Sequence, residues 1–530
     1  MIMKKLKNFF QNWTSYLLLT IVLISAFYIR IHRIDDLLGF YYDQGRDALV
    51  IWNLWHEGKL FLIGPVTGLA GIFLGPFYYY LIASIYLIGG GDPVVVSIFL
   101  AALSVVALYF LYKLGAEMHS RTAGLIGAVI GGFSYYIIYN SRWLSNPNPM
   151  FLLSMLFLYS LWRIITDRNK KWWITASFLV GVSLHFESAS AFFYIFIFGI
   201  FTIWRFFSLS FWGVPKKVEG RLQNLRNNPH FVFQQIGTNR KFILLTFFAF
   251  FVTLIPQILF NFRHENILLN NFIKLFTHEK AFSKPLTVFI LETRIDYFWN
   301  VFMNKIYIGW NREAIIFSSL VLGALIVGRK NLRKAVTGLF MIFLLTPMIG
   351  YILFQGNFGN IYDYYMIGYF LPFILLYAIG LAELSKTFIG KIALIWFFII
   401  YFRVNMVPIQ GIFKNPMDGP TDVKFGSQVH AVNWVFDDAA GRGLYNVDIY
   451  VPPVIPYAYE YLFLWQGTRL CGENLCGKVD YQTPILYTLY EQDPPHPERL
   501  EAWLDKQEGI GLVEESVKFG GITVERRKRN

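Results

Sequence analysis

The sequence predicts an all-α polytopic membrane protein of about eleven transmembrane helices, followed by a small C-terminal α/β or α+β domain. Three observations predict it. Apolar residues make up 55% of the 530 and charged residues only 15%, too little charge to cover a soluble surface of this size. The apolar residues come in runs near bilayer length, as at 13–31 and 242–260. From about residue 418 onward Asp, Glu, Gly and Pro rise and no long apolar run remains.

The net charge is +13. In a soluble chain that excess would point to nucleic acid. Here the basic residues cluster between apolar runs, as in loops held on the cytoplasmic side. The lipid bilayer is therefore the expected partner, and nucleic acid is not.

The elements follow in order. Lys4, Lys5 and Lys7 hold the N-terminus inside, so the first span, 13–31, runs outward. Residues 32–93 form the first external loop. Its apolar run, 71–90, decides the topology. If it spanned, the most basic loops (163–171, 205–241 and 329–334) would all fall outside, against the positive-inside rule. Pro76 and the run Tyr78, Tyr79, Tyr80 suit the headgroup level. The run is read as a juxtamembrane or re-entrant helix. The further spans are 94–114, 122–139, 150–165, 172–185, 188–206, 242–262, 315–327, 335–354, 366–384 and 391–407. Residues 1–407 are thus a multi-pass module of a cell membrane, with a cytoplasmic N-terminus and its chemistry in loop 32–93. Residues 408–530 are the extracytoplasmic C-terminal domain.

That domain reads as helices at 428–439, 456–465 and 497–507 and strands at 446–451 and 485–490. A hairpin of 513–519 and 522–526 turns at Gly520-Gly521. Its Cys471 and Cys476 are the chain's two cysteines, too few for a four-ligand zinc site. On an oxidising side they would form a small-loop disulfide; two free thiols are the alternative.

The external segments hold the unusual polar residues. In Tyr41-Tyr42-Asp43-Gln44-Gly45-Arg46-Asp47-Ala48, Asp43 and Asp47 lie one helical turn apart. A carboxylate at a membrane surface under aromatic cover can act as a general base, and a helix cap is the plainer role for Asp43. In 141–149, Arg142 could meet a phosphate and Asn146 a sugar hydroxyl or a metal; an Asx-Pro turn is the alternative. His185 and Glu187 are ionisable groups beside apolar helices, which are costly there and often functional. Arg263, His278, Glu279 and Arg294 belong to a long loop that could close on an anionic headgroup. Asp363 and Tyr365 lie at the mouth of the next span, where an aromatic belt is the alternative. The topology puts all five segments on one face.

These motifs resemble the GT-C-fold glycosyltransferases that use lipid-linked sugars, near the protein O-mannosyltransferases and the aminoarabinose transferase of lipid A. The resemblance covers roughly the first 400 residues. In that family a carboxylate motif opens the first external loop and two juxtamembrane helices follow; 43–48 and Gly75-Pro76-Phe77-Tyr78-Tyr79-Tyr80 look like these features. By resemblance Asp43 matches the catalytic Asp, Arg46 a neighbouring cation, and Asn146 a second Asp of some members. Residues 271–279 resemble a flexible external loop, and Tyr364-Tyr365 a tyrosine at the substrate portal. Gln44 replaces the usual Glu, and Gly75 stands where some members carry a phosphate-gripping Lys. Arg142, Arg263 and Arg294 become the candidate phosphate ligands.

The expected activity is transfer of a sugar from a polyprenyl-phosphate donor to a hydroxyl of a glycan, lipid or protein acceptor, with inversion. Asp43 is the base. Arg46, Asp47, Tyr78 and Tyr79 join the other loop residues in binding donor or acceptor. The sequence identifies no cofactor, and a divalent metal is left open. The rival is a transporter or flippase of lipid-linked sugars, which would place polar groups at the midplane on broken helices. A sugar-polymer ligase shares the substrate class.

Overall fold

In the computed structural model the described residues are 2–68, 71–167, 169–211, 240–278, 281–282, 285–309, 312–328, 334–356, 359–414, 422–452 and 455–529. The chain opens with α1 (Ile2–Ile31), α2 (Ile34–Leu37), α3 (Tyr42–Glu57) and α4 (Phe77–Ile88). The bundle continues with α5 (Pro93–Met118), α6 (Arg121–Phe133), α7 (Tyr135–Arg142), α8 (Met150–Thr166), α9 (Lys171–Ser183) and α10 (Ser188–Phe211). After it come α11 (Arg240–Arg263), α12 (Ile267–Thr277), α13 (Val288–Met303), α14 (Arg312–Val327), α15 (Lys334–Leu353), α16 (Ile367–Leu384) and α17 (Phe388–Lys414).

Among the described residues seven helices are long and apolar enough to cross a bilayer, or eight if α6 and α7 form one span bent by 59°. The expected eleven included α8, α9 and α14, which lie where predicted but have 17, 13 and 16 residues, short of the roughly 20 that a perpendicular span needs. α4 has 12 residues, too few to span, in keeping with its juxtamembrane reading. The final helix runs through Pro408 to Lys414, beyond the expected end at 407. The basic loops 205–241 and 329–334 lie mostly outside the described residues.

Sequence alone reads 122–139 as one straight span. The structure breaks it at Ser134, and side chains there and on other helices serve the backbone at the break. The Ser134 side chain caps α7, and Asn405 accepts the Tyr135 N–H at 3.0 Å. The Gly131 and Gly132 carbonyls on the other side find a donor too, and Ile130 O, which keeps the Ser134 N–H, gains a second one. Arg30, fully buried, donates to the oxygens of Gly132 and Gly131 at 3.0 and 3.2 Å, and Tyr401 donates to Ile130 O at 2.7 Å. A bilayer tolerates a broken helix only when neighbouring groups satisfy the backbone in this way.

The C-terminal domain contains α18 (Phe425–Ala439), β1 (Tyr445–Tyr450), α19 (Tyr457–Cys471), β2 (Ile485–Glu491), α20 (Pro497–Glu508), β3 (Gly511–Phe519) and β4 (Ile522–Arg529). Each lies at its predicted place. The sheet order is β1-β2-β4-β3; β1 pairs parallel with β2 and the rest is antiparallel. A parallel pair needs a long crossover, and α19 supplies it. Gly520 turns the hairpin at φ +59°. Cys471 and Cys476 form a disulfide.

The domain is seated on the bundle. The Phe425 N–H donates to Leu38 O at 3.0 Å, Tyr461 donates to Gly91 O at 2.6 Å, and Trp465 donates to Gly90 O at 2.9 Å. A Cβ on Gly45 would stand 2.3 Å from the Ala458 nitrogen, so glycine lets α3 lie directly on α19.

Candidate active site

α3 positions the first motif. Tyr41 is its cap residue, with extended backbone. The Gln44 side chain turns back to accept the Tyr41 N–H at 3.1 Å, and its amide donates to Leu144 O at 3.1 Å. The capping role that spacing suggested for Asp43 therefore falls to these neighbours. Asp43 sits in the first turn, where a negative charge suits the helix dipole.

Arg46, one turn on, bridges two carboxylates. Its Nη1 lies 2.8 Å from Asp43 Oδ1 and its Nη2 2.8 Å from Asp47 Oδ1. The two acids sit in opposite environments: the Asp43 side chain is 65% exposed and that of Asp47 6%. Tyr79, on α4, donates to Asp47 Oδ1 at 2.9 Å. Burial pushes Asp47 up to about 6, against the pull of Arg46 and Tyr79. Burial also raises Tyr78 and Tyr79.

The remaining predicted residues are placed as follows. Tyr78 is buried against Phe186, and Tyr79 is spent on Asp47; both were expected to face ligand, and both instead support the motif from behind. Arg142 was expected to meet a phosphate. Its Nη1 instead donates to the carbonyls of Ile29, Arg30 and His32 at 2.9–3.0 Å, closing the C-terminal end of α1. Arg294 is likewise committed, donating to Phe354 O and Gly359 O at 3.1 and 2.8 Å from a buried position. Arg263 and His278 are exposed, so Arg263 is the one of the three candidate arginines left at the surface. Glu279 lies outside the described residues.

Asn146 donates to Phe186 O at 2.6 Å and ties the 143–149 segment to the 185–187 turn. His185 accepts the Phe77 N–H at 3.3 Å, and a Cβ on Gly75 would collide with its ring. Its Nδ1 thus caps the first turn of α4. Glu187 caps α10 by accepting the Ala189 N–H at 3.0 Å, and burial pushes it up to about 8. Tyr365 is buried, with its carbonyl accepting from Ser190 at 2.6 Å. Asp363 pairs with Lys305 at 2.7 Å. Thus the turns at 41–47, 75–79, 143–149 and 185–187 are stitched together at one end of the bundle, and Arg263 and His278 are not part of that weave.

Sequence reading missed Lys305. Its side chain is 1% exposed, and its Nζ lies 4.6 and 4.3 Å from the ring centres of Tyr136 and Phe370. The available signal was a lone lysine in an otherwise apolar stretch, which is expensive near a bilayer and calls for a partner. Among the described residues no group of three or more His, Cys, Asp or Glu side chains is arranged to hold a metal ion.

Comparison with known proteins adds a family match over part of the chain and a fold. Residues 74–212 match the dolichyl-phosphate-mannose-protein mannosyltransferase family, over about a quarter of the chain. A search of curated proteins finds no match. Among solved structures, ArnT from Cupriavidus metallidurans bound to undecaprenyl phosphate superposes with a TM-score of 0.53 at 10% identity, covering 97% of this chain and 98% of that one. The oligosaccharyltransferase of Archaeoglobus fulgidus in its apo form gives 0.50 at 12% identity, covering 86% of this chain and 64% of that one. The structural matches establish the GT-C fold. Within that class the resemblance is to the protein mannosyltransferase and ArnT type.

Proposed function

We propose that the chain transfers a sugar from a polyprenyl-phosphate donor to an acceptor hydroxyl, with Asp43 as general base, on the extracytoplasmic face. The observation that carries this reading is the division between the two acids of the motif. Asp43 is open to a substrate, whereas Asp47 is buried and holds Arg46 beside it. A base must come within about 3 Å of the proton it takes, and only the exposed acid offers that access.

In the proposed step the acceptor O–H gives its proton to Asp43. The oxygen attacks the anomeric carbon from the side opposite the phosphate, and the bonding pair leaves with the lipid phosphate. A single displacement of this kind inverts the anomeric centre. Arg46 stays fixed between its two acids and keeps Asp43 in place. The exposed Arg263 is the arginine proposed to meet the donor phosphate, since charge developing on the leaving group needs a cation.

The test is substitution of each acid. The Asp43–Arg46 pair is exposed enough to contribute only about 0–1 kcal/mol to stability. Asp43→Asn is therefore expected to keep its melting temperature and its lipid-donor binding while losing roughly a hundredfold or more of transfer rate. Asp47→Asn should do the reverse. It breaks a buried pair, which costs about 3–5 kcal/mol, and should lower the melting temperature with a smaller loss of rate per folded molecule. Full activity in Asp43→Asn would move the base elsewhere. Absence of transfer by the wild type with every polyprenyl-phosphate sugar would favour a transporter.

A further inference from the structure

A cleft of about 560 Å³ opens on the C-terminal domain between α19 and β1, with Leu49 of α3 in its lining. This volume lies within the roughly 300–1,000 Å³ of ligand sites. Leu49 stands about 9 Å along α3 from Asp43, and Asp43 is not in the lining. The cleft therefore adjoins the candidate active site without belonging to it.

One wall is an open strand edge. β1 is an outer strand of the sheet, paired with β2 on one side. Val447, Asp448 and Ile449, consecutive along it, all line the cleft. Successive side chains of a strand point to opposite faces, so a cleft that meets all three runs along the strand's edge. On that edge Tyr445 O accepts the Val479 N–H at 2.9 Å. Backbone groups alternate between the two edges of a strand, so those of Val447 and Ile449 point outward as well. Among the described residues neither makes a hydrogen bond on that side. Such an edge is a template for a further strand.

The facing wall is one side of α19, where Glu460, Phe463 and Leu464 fall at helical spacing. Leu475 adds to it from a turn that the Cys471–Cys476 disulfide closes. Leu475 and Cys476 have φ +43° and +57°. Non-glycine residues held in this region are strained, and such strain gathers at ligand clamps. The charge of the cleft is acidic. Asp448, Glu460 and Asp480 meet one base, Lys478, which pairs with Asp480 at 3.2 Å. Asp448 is steadied by the Gln507 amide at 2.6 Å. This acidity stands out in a chain with a net charge of +13.

An open strand edge, an apolar wall and an excess of acid fit an extended peptide that carries apolar and basic side chains. We infer that this cleft docks such a segment of a protein partner, which adds to β1 as a fifth strand. Main-chain hydrogen bonds to Val447 and Ile449 supply affinity. Apolar side chains of the peptide rest on Phe463, Leu464 and Leu475, and its Lys or Arg side chains meet Asp448, Glu460 and Asp480. The inference does not depend on which acid is the base of the proposed reaction. It gives the C-terminal domain a partner of its own, bound beside the candidate active site.

The test is fluorescence anisotropy of a labelled peptide of alternating valine and lysine, with the full chain in a neutral detergent. Wild type is expected to bind it, and to bind a valine–glutamate peptide about tenfold more weakly or worse. Two further peptides carry N-methyl groups on all valines or on all lysines. One of the two loses the nitrogens that face β1 and should bind about tenfold more weakly, the scale of one or two hydrogen bonds. Glu460→Lys replaces an exposed acid. It should keep the melting temperature and weaken the valine–lysine peptide about tenfold. Val447→Pro removes an outward N–H from an edge strand, where proline is tolerated, and should weaken the peptide similarly. Asp43→Asn should leave binding unchanged. No binding of the valine–lysine peptide by wild type overturns the inference, as does binding that neither N-methylation nor either cleft variant weakens. Loss with Glu460→Lys alone would make the cleft an acidic surface and overturn strand addition. A dimer in detergent that Val447→Pro disperses would seat a second copy of the chain on this edge and overturn the peptide assignment.

Discussion

Glu187 shows how a single residue can be placed well by sequence and its role still missed. It stands out in the sequence because an acid beside two apolar helices is costly. It is buried near Tyr351 and Tyr364 and caps α10 through the Ala189 N–H. Its affinity for a proton is raised to about 8 from an ordinary 4.5 by burial. The folded state therefore binds this proton more tightly than the unfolded chain does. The stability that this proton contributes is full below about pH 4.5 and is lost as pH rises to about 8. Glu187→Gln keeps the accepting oxygen but cannot ionise. Its melting temperature should match wild type near pH 5 and exceed it near pH 8.5, as a thermal denaturation series at the two pH values would show. A lower melting temperature for the variant at both pH values would contradict this account. Asp43 and Asp47 teach the same lesson. Their spacing gave a shared helical face, but sequence could not say which would be buried, because burial is decided by Tyr79 and α19 arriving from elsewhere in the chain.

At the scale of elements, the legible features were those carried by local periodicity and turn chemistry. The helices and strands of the C-terminal domain fall where predicted because apolar alternation, Pro and the Gly520-Gly521 turn act locally. The break at Ser134 was not legible. Its compensating partners are the donors Arg30 on α1 and Tyr401 on α17 and the acceptor Asn405 on α17, far away in sequence. A broken helix is also the feature expected of a transporter; here Arg30, Tyr401 and Asn405 occupy the freed groups named above, leaving them committed to the fold. Arg30→Met removes the donor from the Gly131 and Gly132 carbonyls in an apolar setting. Each orphaned group costs about 1–3 kcal/mol, so the variant should lose several kcal/mol of stability, measurable by denaturant or SDS unfolding. Unchanged unfolding would mean that water or another group serves the break.

The whole molecule has two polar ends, and α5 and α16 connect them. α5 begins just after Gly90 and Gly91, which accept from Trp465 and Tyr461 of the C-terminal domain, and ends at His119. α16 begins after Asp363 and Tyr365 and ends beside Glu383, which bonds His119 and Lys386. Arg163 joins the same end through Glu117, which also accepts from Trp162. The candidate site and the C-terminal domain therefore share one end of the bundle, and the basic turns share the other. The positive-inside rule assigns the basic end to the cytoplasm, and the proposed donor would then enter from the outer leaflet. Cysteine substitution tests this assignment cleanly, because the two native cysteines are paired with each other. Asp480→Cys on the C-terminal domain and Glu265→Cys beyond α11 replace exposed side chains. Both should react with a membrane-impermeant thiol reagent in intact cells. Lys386→Cys, also exposed, should react only after the membrane is opened. The opposite pattern would place Asp43 in the cytoplasm, turn the N-terminus outward against the positive-inside rule, and leave the proposed lipid-phosphate donor on the wrong leaflet.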